Sequence, residues 1–246
     1  MRASIKSVQL PYFPLHVVLF PHLPLPLQIF EPRYRAMTRD ILAEGSPYEG
    51  RFVVSMITSG QEAGGGETRT QPIGTICEVR TAEQLADGGY ILLTVGVGRA
   101  QLGRVDRSGE YALVDATPLE ESDGSHEALT LLPVVQRALD AYMEAVKRFV
   151  AAAASVGHES QEISDVAASL DEVLKPIRLP DDPLAASYAV GGVLQIELNR
   201  KQQLLELPDA VSRLRAELDL LRRESRLLAE GAMPPVASAD LTYHPN

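Results

Sequence analysis

Four lysines, five histidines and one cysteine are the side chains from which a nucleophile, a proton shuttle or a metal site would have to be built. Lys6, Lys147, Lys175 and Lys201 each fall in a terminus or a helical stretch, away from the desolvated or cation-flanked setting that activates an amine. His16, His22, His126, His158 and His244 form no His-Glu-x-x-His and no other ligand spacing, and His22, in a proline-rich stretch, reads as a turn or surface residue. Cys77 stands alone, which excludes an intrachain disulfide and a thiolate cluster. Gly64-Gly65-Gly66 is not followed by Gly-Lys-Ser/Thr, so it reads as loop, and no phosphate-binding loop of the Gly-x4-Gly-Lys-Ser/Thr type occurs anywhere. Gly96-Val97-Gly98 lacks the third glycine of a dinucleotide fingerprint and reads as a bulge in a strand. No catalytic residue, cofactor or metal is expected.

Charge narrows the classes further. A formal net charge of −10 and a pI near 5.0 argue against neutralising phosphates, so no nucleic-acid partner is expected. After Arg2 and Lys6, Pro11, Pro14 and Pro21 interrupt every candidate signal-peptide core, and no run approaches the roughly 20 apolar residues of a bilayer span. The reading is a cytoplasmic protein with no membrane partner.

The elements are organised around Leu10 to Tyr34, which holds six of the 17 prolines. Proline fixes φ and removes a donor, so the path is extended, with short strands expected at Val17 to Phe20 and Leu25 to Phe30. Leu27 and Ile29 are expected on one face, with Leu25-Pro26 and Gln28 governing the other. Glu31-Pro32 then opens a helix carrying Tyr34, Met37, Ile41 and Leu42, which Gly45 can end. Strands follow at Arg51 to Thr58, Ile73 to Arg80, Tyr90 to Val95, Val97 to Val105 and Tyr111 to Pro118, with a turn at Asp87-Gly88-Gly89. Many short strands and one early helix predict a partly closed β barrel.

Glu120 to Glu127 is a polar break, and beyond it the period becomes helical. Helices are expected at Leu129 to Ala154, at Gln161 to Leu174, from Pro183 with Asp182 as N-cap to about Leu198, and at Pro208 to Glu230. In the last, Val211, Leu214, Leu218, Leu221 and Leu228 make the apolar seam, while Arg213 with Glu217, Arg215 with Asp219 and Arg226 with Glu230 read as ion pairs on the outer face. The fold class is therefore α+β: residues 1–119 a β subdomain, 120–230 a helical bundle, and 231–246 a disordered tail.

The run FPLHVVLFPHLPLPLQIFEPRY resembles the amino-terminal, substrate-binding domain of the Lon protease family, where proline-bounded strands lead into a helix in this order. Ile73-Gly74-Thr75, the stretch DGGYILLTVGVGRAQL with Arg99 as its arginine, and the later Lys201-Gln202, Leu204-Leu205-Glu206, Arg213-Leu214 and Leu218 are similar to the same family, so the likeness spans most of residues 8 to 230. The resemblance implies that the β subdomain is PUA-like. The ATPase and Ser-Lys peptidase modules of the full protease have no counterpart here.

What the resemblance implies is a non-catalytic, polypeptide-binding or adaptor protein that recognises unfolded or extended chains and can serve a protease or chaperone. Leu25, Leu27, Phe30, Arg33 and Tyr34, at the strand-to-helix corner, are the expected exposed groove, where a peptide could add to an unpaired strand edge. Arg99 is read first as a structural ion pair and second as a ligand contact. Alternative readings are an RNA-binding PUA-like barrel and a protein that shares only its name with Lon-type peptidases.

Overall fold

The computed structural model describes residues 6–60, 68–121, 126–154 and 176–232. Gly64-Gly65-Gly66, the helix expected at Gln161 to Leu174 and the tail from Met233 onward lie outside them. The described elements are β1 (Val8–Leu15), β2 (Pro24–Ile29), α1 (Pro32–Leu42), β3 (Arg51–Ser59), β4 (Arg69–Thr70), β5 (Ile73–Gln84), β6 (Tyr90–Asp106), β7 (Leu113–Pro118), α2 (His126–Ala154), α3 (Pro183–Val193), α4 (Leu198–Glu206) and α5 (Ala210–Ala229). They form an α+β chain of two compact units, one comprising Met1–Glu121 with Leu198–Glu206, the other Ser122–Glu197 with Leu207–Asn246.

In the first unit the strand order is β1-β7-β6-β5-β3-β4, with β2 added on β6. β1 also pairs with β3, so the sheet curls back on itself, but only through staggered halves of one strand: Val8 to Pro11 lie along β7, and Tyr12 to Leu15 run parallel to β3. That stagger explains how β1 tolerates two prolines. Tyr12 donates its N–H to Ala112 O at 2.9 Å, so even-numbered residues face β7 and odd-numbered ones face β3. The missing N–H of Pro11 points to the β3 side before that ladder begins, and that of Pro14 to the β7 side after that ladder has ended.

Val17 to Phe20, expected as a strand, is not one. Val18, Leu19 and Phe20 are buried in a connection whose backbone is held from outside, Thr75 Oγ1 donating to Leu19 O and the His22 N–H to Gly96 O. The two strands expected on either side of Gly96 are a single strand, β6, with the bulge inside it. Gly98 sits opposite Ile76 and Gly96 opposite Cys77, leaving Val97 as the extra residue. A Cβ on Gly96 would lie 2.8 Å from Phe20 O and 2.9 Å from Thr75 Cγ2, so the bulge is also where the connection presses on the sheet.

Two apolar clusters flank β3, which is buried on both faces. Phe52 and Val54 join Phe13, Ile29, Tyr34, Met37, Ile41 and Leu92, whereas Val53 joins Leu10, Tyr12, Ile76, Val114 and Ala116. Each such side chain contributes roughly 1.5–3 kcal/mol by leaving water. Cys77 is completely buried, and burial pushes its thiol far above the ordinary range, which leaves it an apolar filler. α4 belongs to this unit, Gln202 Nε2 donating to Ile73 O at 3.0 Å.

The second unit holds α2, α3 and α5. Asp182 caps α3 by accepting from the Ala185 N–H at 2.7 Å, and Asp209 caps α5 by accepting from the Ser212 N–H at 2.8 Å. The helix expected to reach about Leu198 stops at Val193, because Leu194 takes an extended conformation and buries its side chain, as Ile196 does. The Gln195 N–H donates there to Tyr142 Oη at 3.1 Å. The expected outer-face pair Arg213 and Glu217 is fully buried instead. The Arg213 guanidinium lies 4.2 Å from the centre of the Tyr188 ring and donates to Ser187 Oγ at 2.9 Å and Leu207 O at 2.8 Å, partners that only the packed bundle supplies.

Candidate functional site

β2 decides what the strand-to-helix corner can offer. Its pairing with β6 is antiparallel, Leu25 opposite Thr94, Leu27 opposite Leu92 and Ile29 opposite Tyr90. Proline has no N–H, so the residues bonding β6 are the odd-numbered ones; the Gly96 N–H donating to Leu23 O at 3.1 Å continues the same phase. Pro24 and Pro26 therefore turn their backbones to the other edge, where an added peptide would meet carbonyls and no donor at either position.

Side chains alternate accordingly. Leu25 shares the inward face of Leu27 and Ile29, contrary to the expected division of faces, and Leu25 and Leu27 are half-buried against the main core. Tyr34, expected to be exposed, is buried and meets Phe13 edge-on at 4.2 Å between ring centres. Arg33 is half-buried, donates through Nε to Glu31 Oε2 at 3.1 Å, and lies over the Tyr34 ring at 4.4 Å. Phe30 is exposed, at 40%. Arg99 is buried and donates to Glu121 Oε1 at 2.7 Å and Leu205 O at 2.6 Å, which places it in the framework of the first unit.

The outward face of the same strand pair carries an apolar patch. Pro26 lies opposite Leu93, and Leu93 opposite Thr81; Gln28 lies opposite Ile91, and Ile91 opposite Glu83. Ile91 and Leu93 are 47% and 41% exposed, and Pro24 and Pro26 beside them are exposed as well. Ile91 and Leu93, with Pro26 across the ladder from Leu93 and Pro24 two residues along, make an apolar patch on rigid backbone, bounded by the exposed Gln28, Thr81 and Glu83. Such a patch offers shape and hydrophobicity. Among the described residues no group of three or more His, Cys, Asp or Glu could hold a metal. No helix among them is long and apolar enough to cross a membrane.

Sequence reasoning missed this surface. The run Tyr90-Ile91-Leu92-Leu93-Thr94-Val95 does carry a signal, since a strand apolar at both parities cannot present a polar outer face.

The fold is that of a two-unit α+β chain with an exposed apolar patch, and comparison with known proteins supplies the family. Residues 9–223 match the model of the ATP-dependent protease La (LON) substrate-binding domain, and the chain belongs to that family. It is 26% identical over 235 residues to Lon protease 1 of Syntrophobacter fumaroxidans and 24% identical over 233 residues to the Lon protease of Escherichia coli K12, covering 92% and 90% of this chain. In both cases the match spans 26% of the relative's own length. Among solved structures, the Lon N-terminal domain protein of Xanthomonas campestris shares the fold with a TM-score of 0.56 at 23% identity, over 86% of this chain and 98% of that one. The N-terminal domain of the Mycobacterium avium complex Lon protease aligns with a TM-score of 0.57 at 19% identity, over 87% and 98%.

Proposed function

We propose that this chain binds unfolded or extended polypeptide without catalysing a reaction on it, and that the outward face of β2 and β6 is the contact surface. The observation that carries the reading is the exposure of Ile91 and Leu93 beside Pro24 and Pro26 in a member of a substrate-binding family. Unfolded chains differ from folded ones chiefly in displaying apolar side chains, and a flat apolar surface on a rigid ladder selects for that difference without reading sequence. Binding proceeds through side chains, since the prolines deny the free edge of β2 the donors that strand addition needs. Delivery of the bound chain to a protease or chaperone is the role that fits such a module.

The test replaces the surface without disturbing the strand. Ile91→Thr with Leu93→Thr places β-branched residues in the ladder and removes apolar area, so the melting temperature stays close to the parent's. Capture of a reduced, permanently unfolded model protein should weaken by about tenfold, equivalent to ~1.4 kcal/mol. Undiminished capture by the double variant would move the contact surface elsewhere.

A further inference from the structure

A second feature of the first unit has a different chemistry. A cleft of about 490 Å³ is lined by Tyr12, Pro14, Arg33, Tyr34, Arg107 and Tyr111. Its phenols are already engaged: Tyr12 Oη is hydrogen-bonded to Thr70 Oγ1, and Tyr111 Oη donates to Asp40 Oδ2 at 3.0 Å. Burial and these neighbours push the Tyr111 phenol well above its ordinary range, so it stays protonated and keeps that bond. Tyr12 and Tyr34 are buried and back the cleft from beneath, so the half-buried Tyr111 ring supplies its accessible aromatic wall. Pro14 adds a further apolar patch.

The cations are distributed unequally. Arg33 is committed to Glu31 and to the Tyr34 ring. Glu110, which also lines the cleft, is drawn to Arg39 at 3.4 Å. Arg107 is exposed at the rim, where its charge only partly opposes the rise that burial causes in the Tyr12 phenol, and no described carboxylate forms an ion pair with it. An aromatic- and proline-lined cleft with a guanidinium at its mouth matches an apolar side chain followed directly by a carboxylate.

Resting on the polypeptide-binding reading above, we infer that this cleft is a subsite for an apolar residue of the bound chain adjacent to a carboxylate, with Arg107 receiving the charge. The carboxylate can come from an Asp or Glu side chain or from the end of the chain, and the ring-lined interior receives the neighbouring residue in either case.

Fluorescence anisotropy with labelled peptides tests this and separates the two sources. One pair carries an internal Phe-Asp or Phe-Asn; a second pair ends in Phe as the free acid or the amide. The expected result is that at least one acidic member binds about tenfold more tightly than its neutral twin, a difference of ~1.4 kcal/mol. Arg107→Glu should abolish that preference, and as a substitution of an exposed side chain it should leave thermal melting near the parent's. The pair showing the preference identifies the source. Equal affinities within both pairs, or a preference that survives Arg107→Glu, would overturn the subsite. Failure of the broader reading looks different: parent protein that does not capture the unfolded model protein at all.

Discussion

Arg99 and Glu121 form a buried ion pair, Nε to Oε1 at 2.7 Å, in which the arginine side chain is 2% exposed and the glutamate 10%. Because Arg99 Nη1 also donates to Leu205 O at 2.6 Å and its backbone carbonyl accepts the Leu119 N–H at 2.9 Å, one residue of β6 ties down the chain beyond β7 and the C-terminal turn of α4. A buried pair of this kind gives modest net stability when intact but is costly to halve.

Arg99→Met should therefore destabilise the first unit by about 3–5 kcal/mol, since the Glu121 carboxylate would lose its counter-ion in a poorly hydrated place. Adding Glu121→Gln should recover part of the loss, because the remaining amide carries no charge. Chemical denaturation of the parent, both single variants and the double variant measures the coupling. Strict additivity of the two losses would show that the pair does not act as a unit.

Gly96 should admit no side chain. Its would-be Cβ meets a backbone oxygen, Phe20 O, at 2.8 Å, and backbone cannot swing aside as a side-chain tip can. Gly96→Ala is expected to cost about 1–3 kcal/mol through displacement of the connection between β1 and β2. Gly98, two residues along, has open space where its Cβ would be, so Gly98→Ala should be mild by comparison. Melting of the two variants side by side checks the contrast.

These two sites also show what could be read from sequence alone. The bulge at Gly96-Val97-Gly98 and the cap at Asp182 follow from local chemistry, where a residue's own backbone preference dominates. The inward face of β2 needed tertiary information: alternation separates Leu25, Leu27 and Ile29 from Pro24, Pro26 and Gln28, but the pairing with β6 and the curl of the sheet determine which set is covered. Arg213 and Glu217 failed for a related reason. An Arg-Glu pair one turn apart looks the same in sequence on a wet face or a dry one, and what draws this pair inside is Tyr188 and Ser187 on α3.

Glu217 carries a pH signature. Burial pushes its carboxyl well above the ordinary value of 4.5, against the opposing pull of the Arg213 guanidinium one turn earlier and the Gly191 amide on α3. A carboxyl raised in the folded state binds its proton more tightly there than in the unfolded chain. Its contribution is complete below the unfolded value and is lost as pH rises from about 4.5 through the raised folded value. Glu217→Gln removes that titration, so the variant should gain stability relative to the parent as pH is raised from acid toward neutral. Denaturation midpoints of both proteins across that range provide the difference curve; a difference that does not change with pH would mean Glu217 does not titrate in this way.

Leu27 and Leu93 face opposite sides of neighbouring strands, and the same polar substitution should therefore have opposite consequences at the two positions. Leu27 packs against the cluster containing Phe13, Ile29 and Leu92, so Leu27→Asp puts a charge against apolar side chains. The expected cost is about 2–4 kcal/mol, a large part of the roughly 5–15 kcal/mol that holds a domain folded, and any fall in polypeptide capture should track the fraction unfolded. Leu93 is 41% exposed, so Leu93→Asp gives up little packing and should melt within a few degrees of the parent. Its loss should appear in affinity for the unfolded model protein, measured on the folded variant. Thermal melting and capture assays on the two proteins separate the cases. If Leu27→Asp melts like the parent while Leu93→Asp captures like it, the two faces of this strand pair have exchanged roles and the contact surface lies on the inward side.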